Sequence, residues 1–295
     1  MSATKAHESL RKYGRTFHLA SLFLNPLVAD SAAKLYALCR EVDDIADLAT
    51  SKHDARERLD RLLVALHGRD KHCLFVNQFF SITPDIQSCY MVELFQGVQR
   101  DLGPVRITSQ DELLHYAYEV AGTVGLMMCD VLRVSDPQGR RFAADLGIAM
   151  QLTNIARDVL EDADADRRYL PSDWVGSIDP QDILRADSTT KLSIDLGVQR
   201  LLVLAESFYA SGSRGFQFLD LRSRIAIRIA ARVYREIGLQ VYASPESIWH
   251  GRTTVSTARK WALAGREVIN TLLSIPSIGT IQYPARSTSD QIESH

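Results

Sequence analysis

Four aspartates at paired helical spacing carry the strongest chemical signal in this chain. In YALCREVDDIAD, residues 36–47, the side chains of Tyr36, Arg40, Asp43 and Asp47 recur at offsets of three and four. In QLTNIARDVLEDADADRRY, residues 151–169, those of Gln151, Asn154, Asp158 and Asp162 do the same. Side chains at such offsets share one helix face, with neighbouring Cβ atoms about 5–6 Å apart. Each stripe interrupts an otherwise apolar helical pattern. Burying it is costly unless something charged lies between the two. Paired carboxylates suit hard cations, and Mg²⁺ takes one or two of them together with the oxygens of a phosphate-bearing substrate. A diphosphate clamped there and neutralised by Mg²⁺ and arginines becomes a leaving group. Arg15, Arg40, Arg157, Arg167 and Arg168 are the candidate guanidinium donors. Asp44 points about 100° away from Asp43 and has at most a supporting part. A single D-x-x-x-D is ordinarily a solvated helix face. Two of them, one followed by an arginine-rich stretch, read as a site as readily as they read as solvated faces.

The chemistry sets demands on its surroundings. A carbocation left by a departing diphosphate needs a dry pocket with aromatic faces; Tyr36, Tyr116, Tyr118 and Tyr234 are candidates to line it. Ala121, Gly122 and Gly125 present little side chain, so a helix backbone or a long apolar ligand can approach them equally well. The eight histidines show no HxxxH or HExxH spacing, which argues against a zinc site. The absence of GxGxxG and Walker A patterns argues against a nicotinamide or nucleotide site of those kinds, and no GxSxG supports a serine nucleophile. A formal charge of −2 gives no basis for nucleic-acid binding. Cys39, Cys73, Cys89 and Cys129 are scattered and read as reduced thiols of a cytoplasmic protein. The N-terminal stretch lacks a signal-peptide core, and no apolar run approaches the ~18 residues of a membrane span.

Helical periodicity covers most of the chain. Residues 8–30 read as a helix broken near Asn25-Pro26, followed by one over 30–48 with Asp30 or Ser31 as cap. Further helices are expected over 51–66, 73–80 and 84–100, with Pro84 near the start of the last. Ser109 and Glu112 form a capping-box signature opening a long helix over 109–132. Pro137 to Arg140 reads as a turn, and residues 141–160 carry the second stripe. The polar stretch from about 163 to 190 is expected to be an irregular flap over the site. Helices resume over 191–212, 220–243 and 255–274. No strand alternation and no repeat is present. The expectation is a single all-α domain over residues 1–275 with a mobile tail over 276–295.

YALCREVDDIAD, HYAYEVAGTVGLMM and QLTNIARDVLEDADADRRYLPSDW resemble the signature segments of the squalene/phytoene synthase family, and AARVYREIG and RTTVSTARK resemble its C-terminal blocks. GLMM, NIARDV and DRRYLPSDW are most similar to its bacterial phytoene-forming members. The resemblance implies an isoprenoid synthase fold, with helices around a central apolar cavity. It implies Mg²⁺ ligation by Asp43, Asp47, Asn154, Asp158 and Asp162, with Mn²⁺ as a substitute and no nicotinamide. It implies substrate contacts from Tyr13, Arg15, Thr16, Tyr36, Arg40, Gln151, Arg157 and Tyr234, and catalytic parts for Tyr36, Arg40, Tyr116, Arg157, Arg167 and Tyr234. The implied prenyltransferase reaction joins two geranylgeranyl diphosphates head to head, through prephytoene diphosphate, to phytoene. Alternatives are a farnesyl-using relative and a non-catalytic assembly factor; the latter typically loses acidic residues that this chain keeps. Tyr13 stands where some relatives have histidine, and Leu48 where many have a second acid. Ser21 and Ala33 are small where farnesyl-using relatives are bulkier, so they are expected to deepen the pocket for the twenty-carbon substrate. An apolar product further implies contact with the inner membrane face and a downstream carotenoid desaturase.

Overall fold

The computed structural model describes residues 3–273, so the expected tail over 276–295 lies outside the described residues. Helix α1 (Ala3–Tyr13) ends at Gly14, where a Cβ would sit 2.8 Å from the Tyr36 ring. Only glycine allows this approach, and the turn it permits redirects the chain into α2 (Arg15–Ser21). Helix α3 (Pro26–Asp47) starts earlier than expected. Pro26 occupies the first helical position, and the Asn25 side chain caps it by accepting from the Leu27 amide. Asp30 therefore lies inside the helix and pairs with His7.

Helices α4 (Lys52–His67), α5 (Leu74–Phe80) and α6 (Ser88–Arg100) follow, with Pro84 in the turn before α6 rather than in its first turn. Ser109 caps α7 (Gln110–Ala117) as expected, but Glu112 accepts from the Thr108 amide instead of closing the box on Ser109. A π-helical turn over Tyr118–Gly122 leads into α8 (Thr123–Leu132). There the Thr123 hydroxyl donates to the Glu119 carbonyl. Helix α9 (Pro137–Arg157) again starts on a proline, capped by Asp136, where the sequence suggested a turn. It ends before Asp158, and α10 (Val159–Asp164) follows. The second stripe thus straddles a junction, although the Asp158 and Asp162 amides still donate to the carbonyls four residues back.

The expected flap over 163–190 is instead folded. A two-residue parallel ladder joins β1 (Val105–Arg106) to β2 (Arg167–Arg168), and short helices α11 (Ser172–Val175) and α12 (Pro180–Leu184) follow. Tyr169, Leu170, Val175 and Ile183 are buried and pin the segment down. Those four apolar anchors are too few and too unevenly spaced to register as a period.

Helices α13 (Ser188–Ser213), α14 (Leu221–Ala243) and α15 (Thr257–Leu272) complete the architecture. Helix α9 runs through the middle, packed against α8, α13 and α14, while α3 packs on α1, α6 and α8. Helix α14 is held by buried ion pairs, Arg235–Glu206 to α13 and Arg228–Glu267 to α15. Helix α8 and the π-helical turn before it cross α9 with backbones nearly touching: a Cβ on Gly125 would overlap the Ala143 carbonyl, and one on Gly147 the Ala121 carbonyl. Gly147→Ala is therefore expected to cost about 1–3 kcal/mol, the usual range for overpacking. Urea denaturation measures it, and an unchanged midpoint would show that the crossing has slack.

Candidate active site

A cavity of about 610 Å³ lies between α3, α8, α9 and α14, within the roughly 300–1,000 Å³ typical of ligand sites. Helix α9 runs its whole length. Gly139, Ala143 and Leu146 line the inner end, Met150 the middle, and Gln151, Asn154 and Arg157 the mouth. From α3, Tyr36, Arg40 and Asp43 reach the same mouth, joined by Tyr13, Arg15 and Thr16 at the α1–α2 break and by Tyr234 from α14. Polar groups collect at one end and apolar ones at the other, because each lining helix turns from charged to aliphatic residues along its face.

Four cationic or aromatic contributors carry no signal in the local sequence pattern. Lys12, Arg252 and Lys260 line the mouth, and Phe17 lies between Tyr36 and Tyr234, with ring centroids 6.1 and 5.2 Å away. Arg252 and Lys260 lie in the RTTVSTARK segment, which stood out only by resemblance. Phe17 had no periodic partner because the helix breaks at Gly14.

Other expected site residues stand outside the cavity lining. Asp47 accepts from Arg167 at 3.0 Å, and Arg167 also donates to the Asp101 carbonyl at 3.1 Å. Asp158 is gripped by Arg157, at 2.6 and 2.5 Å, and by Arg252 at 3.1 Å. Tyr116 is buried and stacks on Tyr169, with centroids 4.7 Å apart; both hydroxyls donate to the Asp101 carboxylate, at 2.8 and 2.7 Å. Tyr118 donates to Glu93. Neither tyrosine presents its ring to the cavity, which corrects the expected pocket lining. Arg168 donates to the Ile107 and Leu170 carbonyls and braces the ladder instead of facing a diphosphate. Asp44 pairs with Arg40 at 2.6 Å, a supporting part. Asp101, at the end of α6, was missed because it lies far in sequence from both stripes.

Carboxylates crowd this end of the molecule. Burial, with Asp47 next in weight, pushes Asp43 up to about 7, and Arg40 only partly offsets this. Burial and then Asp158 hold Asp162 well above the ordinary range, with Arg167 opposing. Burial raises Asp101 as well, against the pull of Arg167 and the two tyrosine hydrogen bonds. Burial raises Tyr36 to about 12. Such crowding favours a bound cation, since positive charge relieves the mutual repulsion. Asn154 adds a donor, for its Oδ1 is buried without a hydrogen-bond partner, and an orphaned carbonyl oxygen there fits a hard cation. Among the described residues no three acidic, histidine or cysteine side chains form a ready-made metal cage. That is compatible with Mg²⁺, which draws much of its coordination from substrate phosphates and water.

Helices enclosing an apolar cavity, with carboxylates and guanidiniums at its mouth, define the all-α isoprenoid synthase class. The chain belongs to the squalene/phytoene synthase family, which it matches over residues 10–259. It is 34% identical over 265 residues to a 15-cis-phytoene synthase from Enterobacter agglomerans, covering 84% of this chain and 89% of that one. It is 32% identical to a phytoene synthase from Rhodobacter capsulatus, covering 91% and 81%. A crystal structure of a dehydrosqualene synthase with ligand superposes with a TM-score of 0.79 at 26% identity, covering 92% of this chain and 96% of that one.

Proposed function

We propose that this protein is a phytoene synthase that condenses two geranylgeranyl diphosphates head to head. The observation that carries the proposal is the polarity of the cavity: an apolar interior long enough for a prenyl chain, ending in a mouth where α3 and α9 bring Asp43, Asn154, Arg40 and Arg157 together. Its likeness over most of its length to curated phytoene synthases supports the same activity.

In this reading Asp43 and Asp47 on one side, and Asn154, Asp158 and Asp162 on the other, would hold Mg²⁺, with Mn²⁺ as a substitute. Bound there, the metal would supply electrostatic neutralisation of the leaving group's developing charge. Arg15, Arg40 and Arg157, with Lys12, Arg252 and Lys260, bind the remaining oxygens. Arg167 orients Asp47, and Tyr116 acts at a distance through Asp101, which also carries Arg167 on its carbonyl. Tyr36, Phe17 and Tyr234 offer ring faces to the allylic cation, while Thr16, Gln151 and Tyr13 shape the entrance. One substrate loses diphosphate, and the second captures the cation with loss of a proton to form the cyclopropyl intermediate, prephytoene diphosphate. Loss of its diphosphate, rearrangement and a second proton loss yield phytoene. No net reduction occurs, so no nicotinamide is required.

The same proposal places the synthase domain up to about residue 275. It also includes peripheral contact with the inner face of a membrane and transfer of product to a desaturase, because phytoene is insoluble in water. No helix among the described residues is long and apolar enough to cross a membrane.

The test is incubation of purified protein with geranylgeranyl diphosphate, with and without Mg²⁺, in the absence of reductant. Phytoene formed only with Mg²⁺ is the expected result. Conversion of farnesyl diphosphate alone would overturn the substrate assignment, and silence with both would overturn the enzymatic one.

A further inference from the structure

Ser21 and Ala33 are packed beside this cavity and are not part of its lining. Ala33 is fully buried between α1 and α3, packed with Ala6, Leu10 and Ala37. Ser21 is buried with its hydroxyl on the His18 carbonyl. Neither lines the cavity. Among the residues that do line it, depth is set where the helices approach the closed end, and α9 supplies the ruler.

At 1.5 Å per residue, α9 carries the cavity wall about 27 Å from Arg157 down to Gly139. Ala143 lies about 16 Å below Asn154 on the same helix. An extended chain advances about 3.5 Å per three bonds, so a farnesyl main chain spans roughly 13 Å and a geranylgeranyl one roughly 18 Å. Measured from Asn154, the first ends near Leu146, short of Ala143, and the second runs past it.

Gly139 and Gly147 flank Ala143 one turn away on either side, but packing accounts for both. A Cβ on Gly139 would meet Val134 and Phe218, and one on Gly147 the Ala121 backbone. All three line the cavity, and Ala143 differs in carrying a Cβ, so that a side chain rather than bare backbone forms the wall there. Below it the cavity continues between Met128, Leu132, Val134, Phe216 and Leu219.

We propose that Ala143 is the chain-length determinant of this enzyme, its small side chain leaving the passage through which the last isoprene unit of a twenty-carbon substrate reaches the closed end. The proposal rests on the prenyl-diphosphate reading of the site. It assigns selection between fifteen and twenty carbons to the inner third of α9.

The test uses Ala143→Phe and Ala143→Val in the full chain, with Leu219→Trp adding bulk at another residue of the lining. Turnover of geranylgeranyl and farnesyl diphosphate is measured alongside calorimetric binding of the non-hydrolysable S-thiolodiphosphates of both. In Ala143→Phe, kcat/KM and affinity for the twenty-carbon compounds should fall at least ~30-fold, while those for the fifteen-carbon compounds change less than ~3-fold. Ala143→Val should give a smaller shift and Leu219→Trp a comparable one. Retained fifteen-carbon binding reports that each variant is folded. Equal losses for both lengths in all three variants, or no change in the ratio, would overturn the assignment. Wild-type protein that binds both analogues but turns over neither diphosphate would refute the enzymatic reading, and the binding ratio of the variants would still decide the role of Ala143.

Discussion

Asp158→Ala and Asp43→Ala should each lower turnover of geranylgeranyl diphosphate by at least ~10³-fold, about 4 kcal/mol of transition-state stabilisation, with the far-UV circular dichroism of the wild type. The two residues act from opposite sides of the mouth. Asp158 sits at the α9–α10 junction with two guanidiniums on its carboxylate. Removing it deletes a proposed cation ligand, takes the paired carboxylate from Arg157 and leaves Arg252 only its longer contact to Glu161. Asp43 lies on the cavity wall beside Arg40, crowded by Asp47. Helical content should persist because neither side chain belongs to the hydrophobic core, and the Asp158 backbone amide keeps its bond to Asn154. Activity within tenfold of wild type in both variants would eliminate the cation clamp.

Arg157→Met is the second large effect, expected to reduce kcat/KM by about 10²–10³-fold, the range for losing one preorganised group that stabilises developing charge. Methionine keeps an unbranched apolar stem of similar reach but removes the fork. The Arg157 side chain is only 10% exposed, so its charge acts in a poorly screened environment, next to both Asp158 and Tyr234. Arg252, with 48% of its side chain exposed, grips the same carboxylate from the solvent side. Arg252→Met should therefore cost less, and its effect should shrink as salt is raised. Steady-state kinetics at two ionic strengths separates the two. Equal, salt-sensitive losses would mean that Arg157 acts only as a diffuse surface charge.

The spaced aspartates, the all-α class and most helix locations were determined by the sequence alone, because they depend on local periodicity. Offsets of three and four place Tyr36, Arg40 and Asp43 on one face whatever surrounds them. The errors in helix starts have a local cause too. Pro26 and Pro137 read as breaks in the sequence, yet each follows a capping residue, Asn25 or Asp136, which makes the proline a first helical position.

Tertiary structure decided which faces meet. Tyr116 and Tyr36 are both tyrosines on helices with apolar faces, yet one turns to Asp101 and Tyr169 and the other to the cavity. Arg167 and Arg168 are adjacent and diverge, one to Asp47 and one to the Ile107 carbonyl, because successive residues of a strand point to opposite sides. Asp101, Phe17 and the pair Arg252 and Lys260 come from three separate segments whose convergence no local pattern encodes. Ala143 could be read as an ordinary helix-packing alanine until the direction of α9 along the cavity gave it a depth. Periodicity reports the face of a helix, whereas the partner of that face is set by how distant segments pack, and that packing belongs to the fold as a whole.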